Sequence, residues 1–246
     1  MKVAFAYPNL TKKGKHPLLA QNRQFRYSSS SEVRIFPVIP ASSVTVLKKA
    51  GHDSALIDGI NTGMSNEAFE RKLSQFDPDV VVLETKTPLM PRLWHRADEL
   101  SERFKTIVFV GDHATALPAE SLERCRVDYV VTGGDYDLSL LRLCEYLDGA
   151  AHDLPVGVWF RSEGRVRCLG PPPLWADLDQ VPFTDRKLTN WSCYGEAYLQ
   201  KPCVYIMTGR GCGGRGSSPG KCSFCSWQHN LWSGTCRLRS PGNVAE

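Results

Sequence analysis

The chain has 246 residues, 42% hydrophobic and 23% charged, which are the proportions of a folded globular protein and exclude a disordered tail. Its net charge of +4 is too small to argue for nucleic acid as a partner. No apolar run approaches about 18 residues, so no membrane span is expected.

Strand and helix signals alternate through residues 1–150. Lys2–Tyr7, Ser54–Asp58, Asp79–Glu84, Thr106–Gly111 and Val127–Thr132 read as strands. The unbroken β-branched run after Asp79 is that of a strand buried on both faces. Helical patterns lie between them, at about Ser42–Lys49, Asn66–Gln75, Pro91–Phe104, Pro118–Cys125 and Asp137–Leu147. Ser65 suits an N-cap, and Pro91 and Pro118 suit first-turn positions. The alternation predicts an α/β fold with a doubly wound, five-stranded parallel sheet. Residues 8–37 read as a long loop, 156–169 as a β-hairpin turning at Glu163-Gly164, and the proline-bearing 170–201 as a linker. A further strand is expected from about Cys203, carrying Val204–Met207.

Ligands of doubly wound sheets bind beyond the carboxyl ends of the strands. The segments there include Thr85–Pro88, Gly111–Thr115 and Gly133–Tyr136. Gly111-Asp112-His113-Ala114-Thr115 offers backbone N–H groups, a hydroxyl and an imidazole, and Gly133-Gly134 allows close backbone approach before a helix. Tight turns and an edge histidine would explain the same residues. No G-x-G-x-x-G follows the first strand, which argues against a dinucleotide enzyme.

Nine cysteines are many for a chain of this size. The apolar stretch after Met1 is too short for a signal peptide, so a cytoplasmic setting with reduced thiols is expected, favouring metal binding over disulfides. Cys125, Cys144 and Cys168 stand singly and read as buried or half-buried residues. Cys212, Cys222 and Cys225 lie on a glycine-rich segment and form a metal cradle. Three thiolates on a [4Fe–4S] cluster leave one iron open for chemistry. Alternatively, Cys222-x-x-Cys225 is half of a zinc knuckle, completed by Cys212 with His229 or Cys236. Between Ala197 and Ala245 there are six Lys or Arg and no acid, either a solvated face or a surface for an anionic cluster or cofactor.

Several segments together resemble the B12-binding-domain-containing radical SAM proteins. They are Leu47–His52, Asp77–Val82, Val110–Pro118 and Val127–Gly134, then the connector Trp175–Phe183, then Thr208–Cys212 with Cys222-Ser-Phe-Cys225. The resemblance implies a flavodoxin-like, B12-binding type domain over 1–150, a hairpin and linker over 151–201, and the start of a radical SAM barrel over 202–246. It implies cobalamin near Thr85, Thr87, Gly111, Asp112, His113, Ala114, Thr115, Gly133 and Gly134. It implies a [4Fe-4S] cluster on Cys212, Cys222 and Cys225, with Phe224 near the adenine of S-adenosylmethionine. A flavodoxin or ferredoxin would be the electron donor, and methyl transfer is one outcome. The usual spacing is C-x3-C-x2-C, whereas nine residues separate Cys212 from Cys222. The D-x-H-x-x-G segment is missing, so the implied cobalamin would lack a protein histidine ligand. A full barrel takes roughly 200 residues, so the chain is expected to be an incomplete, C-terminally truncated member that does not turn over substrate by itself.

Overall fold

The computed structural model describes residues 1–10, 15–17, 27–28, 34–188, 191–195, 205–212 and 235–246. Strand β1 (Lys2–Tyr7) is followed by two-residue strands β2 (His16–Pro17) and β3 (Tyr27–Ser28), which pair with each other. Then come α1 (Val38–Lys49), β4 (Asp53–Asp58), α2 (Asn66–Phe76), β5 (Val80–Thr85), α3 (Met90–Ser101) and β6 (Thr106–Gly111). The short helices α4 (Asp112–Ala116) and α5 (Pro118–Arg124) precede β7 (Tyr129–Val131) and α6 (Tyr136–Leu147).

β1, β4, β5, β6 and β7 are parallel, and in space run β4-β1-β5-β6-β7. Counted in chain order this is 2-1-3-4-5, the flavodoxin-like arrangement. Val80, Val81, Val82 and Leu83 are all fully buried, as helices on both faces require of a central parallel strand. α1 packs against α6 and β4. α2 starts where the Ser65 hydroxyl accepts from the Ala68 N–H at 3.2 Å, as its sequence predicts.

The hairpin forms as β8 (Val158–Ser162) and β9 (Arg165–Cys168), and its turn residues Glu163 and Gly164 both have positive φ, 51° and 71°. Such a turn matches the twist of the flanking strands. The hairpin does not stand apart: β8 pairs antiparallel with β7, so the sheet has seven strands, not five. Residues 170–188 are also packed rather than a free tether, with Leu178 and Val181 buried. Within the stretch expected as a loop, Arg34 forms an antiparallel bridge with Gly195.

The strand expected from Cys203 differs. Residues 201–204 lie outside the described set, and Tyr205–Thr208 is not in a strand. A ladder needs a neighbour, and it first appears where β10 (Gly209–Gly211) pairs antiparallel with β11 (Cys236–Leu238). Helix α7 (Pro241–Ala245) follows, capped by Ser240.

Candidate functional site

At the carboxyl edge of the sheet, Thr85 and the turn after β6 are tied together. The buried Thr85 hydroxyl donates to the Val110 carbonyl at 2.7 Å and accepts from the Ala114 N–H at 2.9 Å. Gly111 makes this turn with φ 95°, and a Cβ there would sit 2.9 Å from Glu84 Cγ and 3.0 Å from the Thr85 carbonyl oxygen. Only glycine fits. Of the five residues Gly111–Thr115 singled out in the sequence, Asp112–Thr115 lie in helix α4 and Gly111 precedes it.

His113 is 3% exposed. Its Nδ1 lies 3.3 Å from Thr87 Oγ1, its Nε2 lies 3.4 Å from Glu120 Oε2, and the Trp94 ring meets it edge-on. The Glu120 contact is an ion-pair distance without hydrogen-bond geometry. Burial pushes the imidazole below its ordinary pKa, and Glu120 opposes this only in part. His113 is therefore a neutral group at physiological pH.

The Gly133 N–H donates to Thr115 Oγ1 at 3.0 Å. Gly133 has φ 91°, and a Cβ would lie 2.7 Å from Pro172 Cβ, so here the close backbone approach is made by the chain's own proline. Gly134 is also buried. Beside Thr115 and Thr132 opens a groove of about 730 Å³, walled by Leu117, Pro118, Trp159 and Pro172.

One cluster escaped sequence reasoning. Glu84, at the end of β5, accepts hydrogen bonds from Tyr7 and, at 2.7 Å, from Tyr136. Burial first, then the Glu84 charge, raises both phenols well above their ordinary pKa, so they remain neutral donors. Nothing in the sequence links residues 7, 84 and 136; only the strand order makes them neighbours.

In the basic segment the three described cations, Arg210, Arg237 and Arg239, are engaged within the chain rather than left free for an anionic ligand. Asp135 and Asp137, both with fully buried side chains, face Arg210 and Arg237. Arg210 donates to Asp135 Oδ1 at 3.1 Å and to the two oxygens of Asp137 at 2.8 and 2.6 Å. Arg237 donates to both oxygens of Asp135. Trp175 adds its backbone N–H to Asp135 at 2.6 Å and its indole N–H to Asp137 at 3.1 Å, and Ser42 donates to Asp137 at 2.9 Å. Burial pushes the Asp137 carboxyl up, but Arg210, with these hydrogen bonds, outweighs it and holds the group below the usual carboxylate range. Arg239 donates to the carbonyls of Met207 and Val181 and to Asn243. Lys201, Arg215 and Lys221 lie outside the described residues.

Cys212 is exposed, and its N–H donates to the Thr235 carbonyl at 3.0 Å. Cys222, Phe224 and Cys225 lie outside the described residues. Among the described residues no group of three or more His, Cys, Asp or Glu is placed to hold a metal. Cys236 is exposed and lies opposite Gly211 in the β10–β11 pair. Cys125 and Cys144 are buried, and burial raises their thiol pKa values to about 11 and about 12, which suits packing rather than chemistry. Cys168 is half-buried, as expected.

The fold and site thus define a flavodoxin-like α/β unit whose carboxyl edge is joined, through buried ion pairs, to a cysteine-bearing segment. No protein-family model matches the chain. It is 26% identical over 194 residues to an uncharacterized methyltransferase of Pyrococcus horikoshii, covering 77% of this chain. It is 27% identical over 210 residues to the anaerobic magnesium-protoporphyrin IX monomethyl ester cyclase of Cereibacter sphaeroides, covering 81% of this chain. The chain spans 40% and 32% of those two proteins. Its fold matches the radical S-adenosylmethionine methyltransferase TsrM of Kitasatospora setae, solved with cobalamin and a [4Fe-4S] cluster, with TM-score 0.62 and 14% identity over 86% of this chain and 42% of that one. It also matches the cobalamin-dependent S-adenosylmethionine radical enzyme OxsB, solved with aqua-cobalamin and S-adenosylmethionine, with TM-score 0.67 and 16% identity over 99% of this chain and 30% of that one. The chain is similar to B12-binding-domain-containing radical SAM proteins both in sequence and in fold. No described helix is long and apolar enough to cross a membrane.

Proposed function

We propose that this chain is the N-terminal portion of a cobalamin-dependent radical SAM enzyme, with Cys212, Cys222 and Cys225 as the ligands of a [4Fe-4S] cluster. The observation that carries the reading is one arrangement. A flavodoxin-like sheet is followed, in one chain, by three closely spaced thiols entered through a strand docked beside the carboxyl edge. The donor set suits the cluster, because three thiolates leave one iron for S-adenosylmethionine. When bound, the cluster would supply the electron that cleaves S-adenosylmethionine, and methyl transfer is the reaction class that the relatives suggest.

The groove of about 730 Å³ beside Thr115 and Thr132 would take part of a corrinoid, and Thr87, in contact with His113, is exposed. In that role the neutral His113 would hold Thr87 in place rather than ligate cobalt, since its ring is enclosed by Trp94, Thr87 and Glu120. Thr85, Gly111 and Ala114 would set the turn, with Asp112 at its rim. Gly133 would face the ligand only if Pro172 moved aside, with Gly134 next to it. A flavodoxin or ferredoxin would supply electrons.

Anaerobic reconstitution of the chain with iron and sulfide tests the reading. It should give a brown, oxygen-sensitive protein with a visible absorbance band from the thiolate-bound cluster. Cys212→Ala, Cys222→Ala and Cys225→Ala should each abolish that band. A band that survives all three sinks the assignment, and stoichiometric zinc with no iron would favour a structural zinc site in a corrinoid- or nucleotide-binding module.

A further inference from the structure

A cavity of about 400 Å³ lies among α1, residues 178–186, Tyr205–Thr208 and α7. That is within the usual size of a small-molecule pocket, roughly 300–1,000 Å³. All the residues that line it are described ones. Phe183, Ile206 and Val244 are 51%, 63% and 38% exposed, so three large apolar side chains meet water along one cavity. An exposed apolar patch around a cavity marks a binding surface.

The cations set the sign of the ligand. Arg186 is half-buried, lies over the Phe36 ring at 4.9 Å from its centroid, and donates to the Tyr205 carbonyl. That carbonyl takes one N–H of a guanidinium that has several, and the other nitrogens are not sealed from solvent. The adjacent acid, Asp185, lies 3.6 Å from Lys48 instead. Arg239 also lines the cavity, with its nitrogens taken by the Met207 and Val181 carbonyls and by Asn243. Among the described residues neither guanidinium has a carboxylate within ion-pair distance. Neutral hydrogen-bond partners orient a guanidinium but leave its charge in place, and a charge withdrawn from water needs a countercharge. Burial pulls the pKa of both down; Arg210 adds to this at Arg239, and Asp179 and Asp137 oppose it only in part. Glu246, the one acid in the lining, is exposed.

We infer that this cavity binds an amphipathic organic anion: Arg186 takes its carboxylate or phosphate, Arg239 adds positive potential, and Phe183, Ile206 and Val244 cover its apolar part. The site uses none of the cysteines and needs neither metal nor corrinoid.

The test uses the whole chain, reduced and without added metal. Anilinonaphthalene sulfonate, itself an apolar anion, is the fluorescent probe; octanoate and octyl phosphate compete for it, and octanol is the neutral control. The two competing anions separate carboxylate from phosphate as the preferred head group. The better of them should displace the probe at a concentration about ten-fold or more below that of octanol, the worth of one charge-assisted hydrogen bond. Arg186→Gln should weaken that anion by about ten-fold and leave octanol unchanged, and Arg186→Lys, which keeps the charge, should recover most of the loss. Ile206→Glu is an independent arm. Its side chain is 63% exposed, so the fold tolerates the change, and the added charge should weaken the anion by about ten-fold. The better anion should also slow amide exchange across Thr184–Arg186 and Ile206–Thr208. If neither anion displaces the probe, if octanol competes within about two-fold of both, or if Arg186→Gln and Ile206→Glu each leave the anion within about two-fold of wild type, the site is refuted. Unchanged exchange in those two segments would refute it as well. All of these outcomes leave the cluster assignment untouched, because iron reconstitution tests that separately.

Discussion

Arg210→Met removes the central cation of the buried cluster while keeping much of its apolar stem. Arg210 is 4% exposed, and it is the cation that pairs with Asp137. Asp135 keeps Arg237, whereas Asp137 keeps, among the described residues, the neutral donors Ser42 and Trp175 together with the Leu138 N–H. The cluster changes from two acids and two guanidiniums to two acids and one. Leaving one buried charge without its partner costs about 3–5 kcal/mol, whereas replacing both partners by apolar groups is far milder. The opening free energy of Tyr205–Cys212 and Thr235–Ser240, read by amide exchange corrected for intrinsic rates, should fall by about that amount near pH 7. The pH dependence gives the reasoning a second edge. In wild type the Asp137 pKa is depressed, so its contribution is present above the ordinary carboxylate pKa of about 3.9 and is lost as pH falls through the lower folded value. In the variant, burial acts without Arg210 and raises that pKa, so the penalty should shrink on acidification from about pH 7 toward about pH 4. Adding Asp137→Asn to Arg210→Met should restore part of the loss. A penalty under about 1 kcal/mol, or one that does not change with pH, would refute the account of a partnered buried charge.

His113, neutral through burial, should make the fold lose stability as pH falls below about 6.5 and through its lower folded pKa, because the unfolded chain then binds the proton first. His113→Leu should flatten urea stability across that window, and an unchanged slope would contradict the assignment. Gly111→Ala should destabilise the turn between β6 and α4 by about 1–3 kcal/mol, through positive φ and contact with Thr85 and Glu84; a neutral effect on thermal unfolding would mean that the turn can relax.

Much of the N-terminal fold is legible in the residue pattern alone. β1 and β6 fall where their apolar runs place them, at Lys2–Tyr7 and Thr106–Gly111, because a β-branched or aromatic run of that length is too short for a buried helix. α1 begins four residues earlier than its pattern suggests, at Val38, since Val-Ile-Pro carries no helical periodicity. α4 is five residues long and too short to show a period at all. The hairpin turn is written in Glu163-Gly164, but the pairing of β8 onto β7 is a long-range choice among strand edges.

The candidate site divides along the same line. The chain itself supplies the carboxyl-edge loops, the glycine turns and the three closely spaced thiols, because those are local features of residue type and spacing. The six unbalanced cations between Ala197 and Ala245 read from the sequence as an exposed or ligand-binding surface, since the stretch itself holds no acid. Asp135 and Asp137 lie 73 to 75 residues from Arg210, and the fold alone brings them within hydrogen-bond reach. Glu84 meets Tyr7 and Tyr136 for the same reason. Periodicity and spacing report what a segment does with its near neighbours; which buried charges neutralise one another is decided only when packing removes water and brings distant segments together.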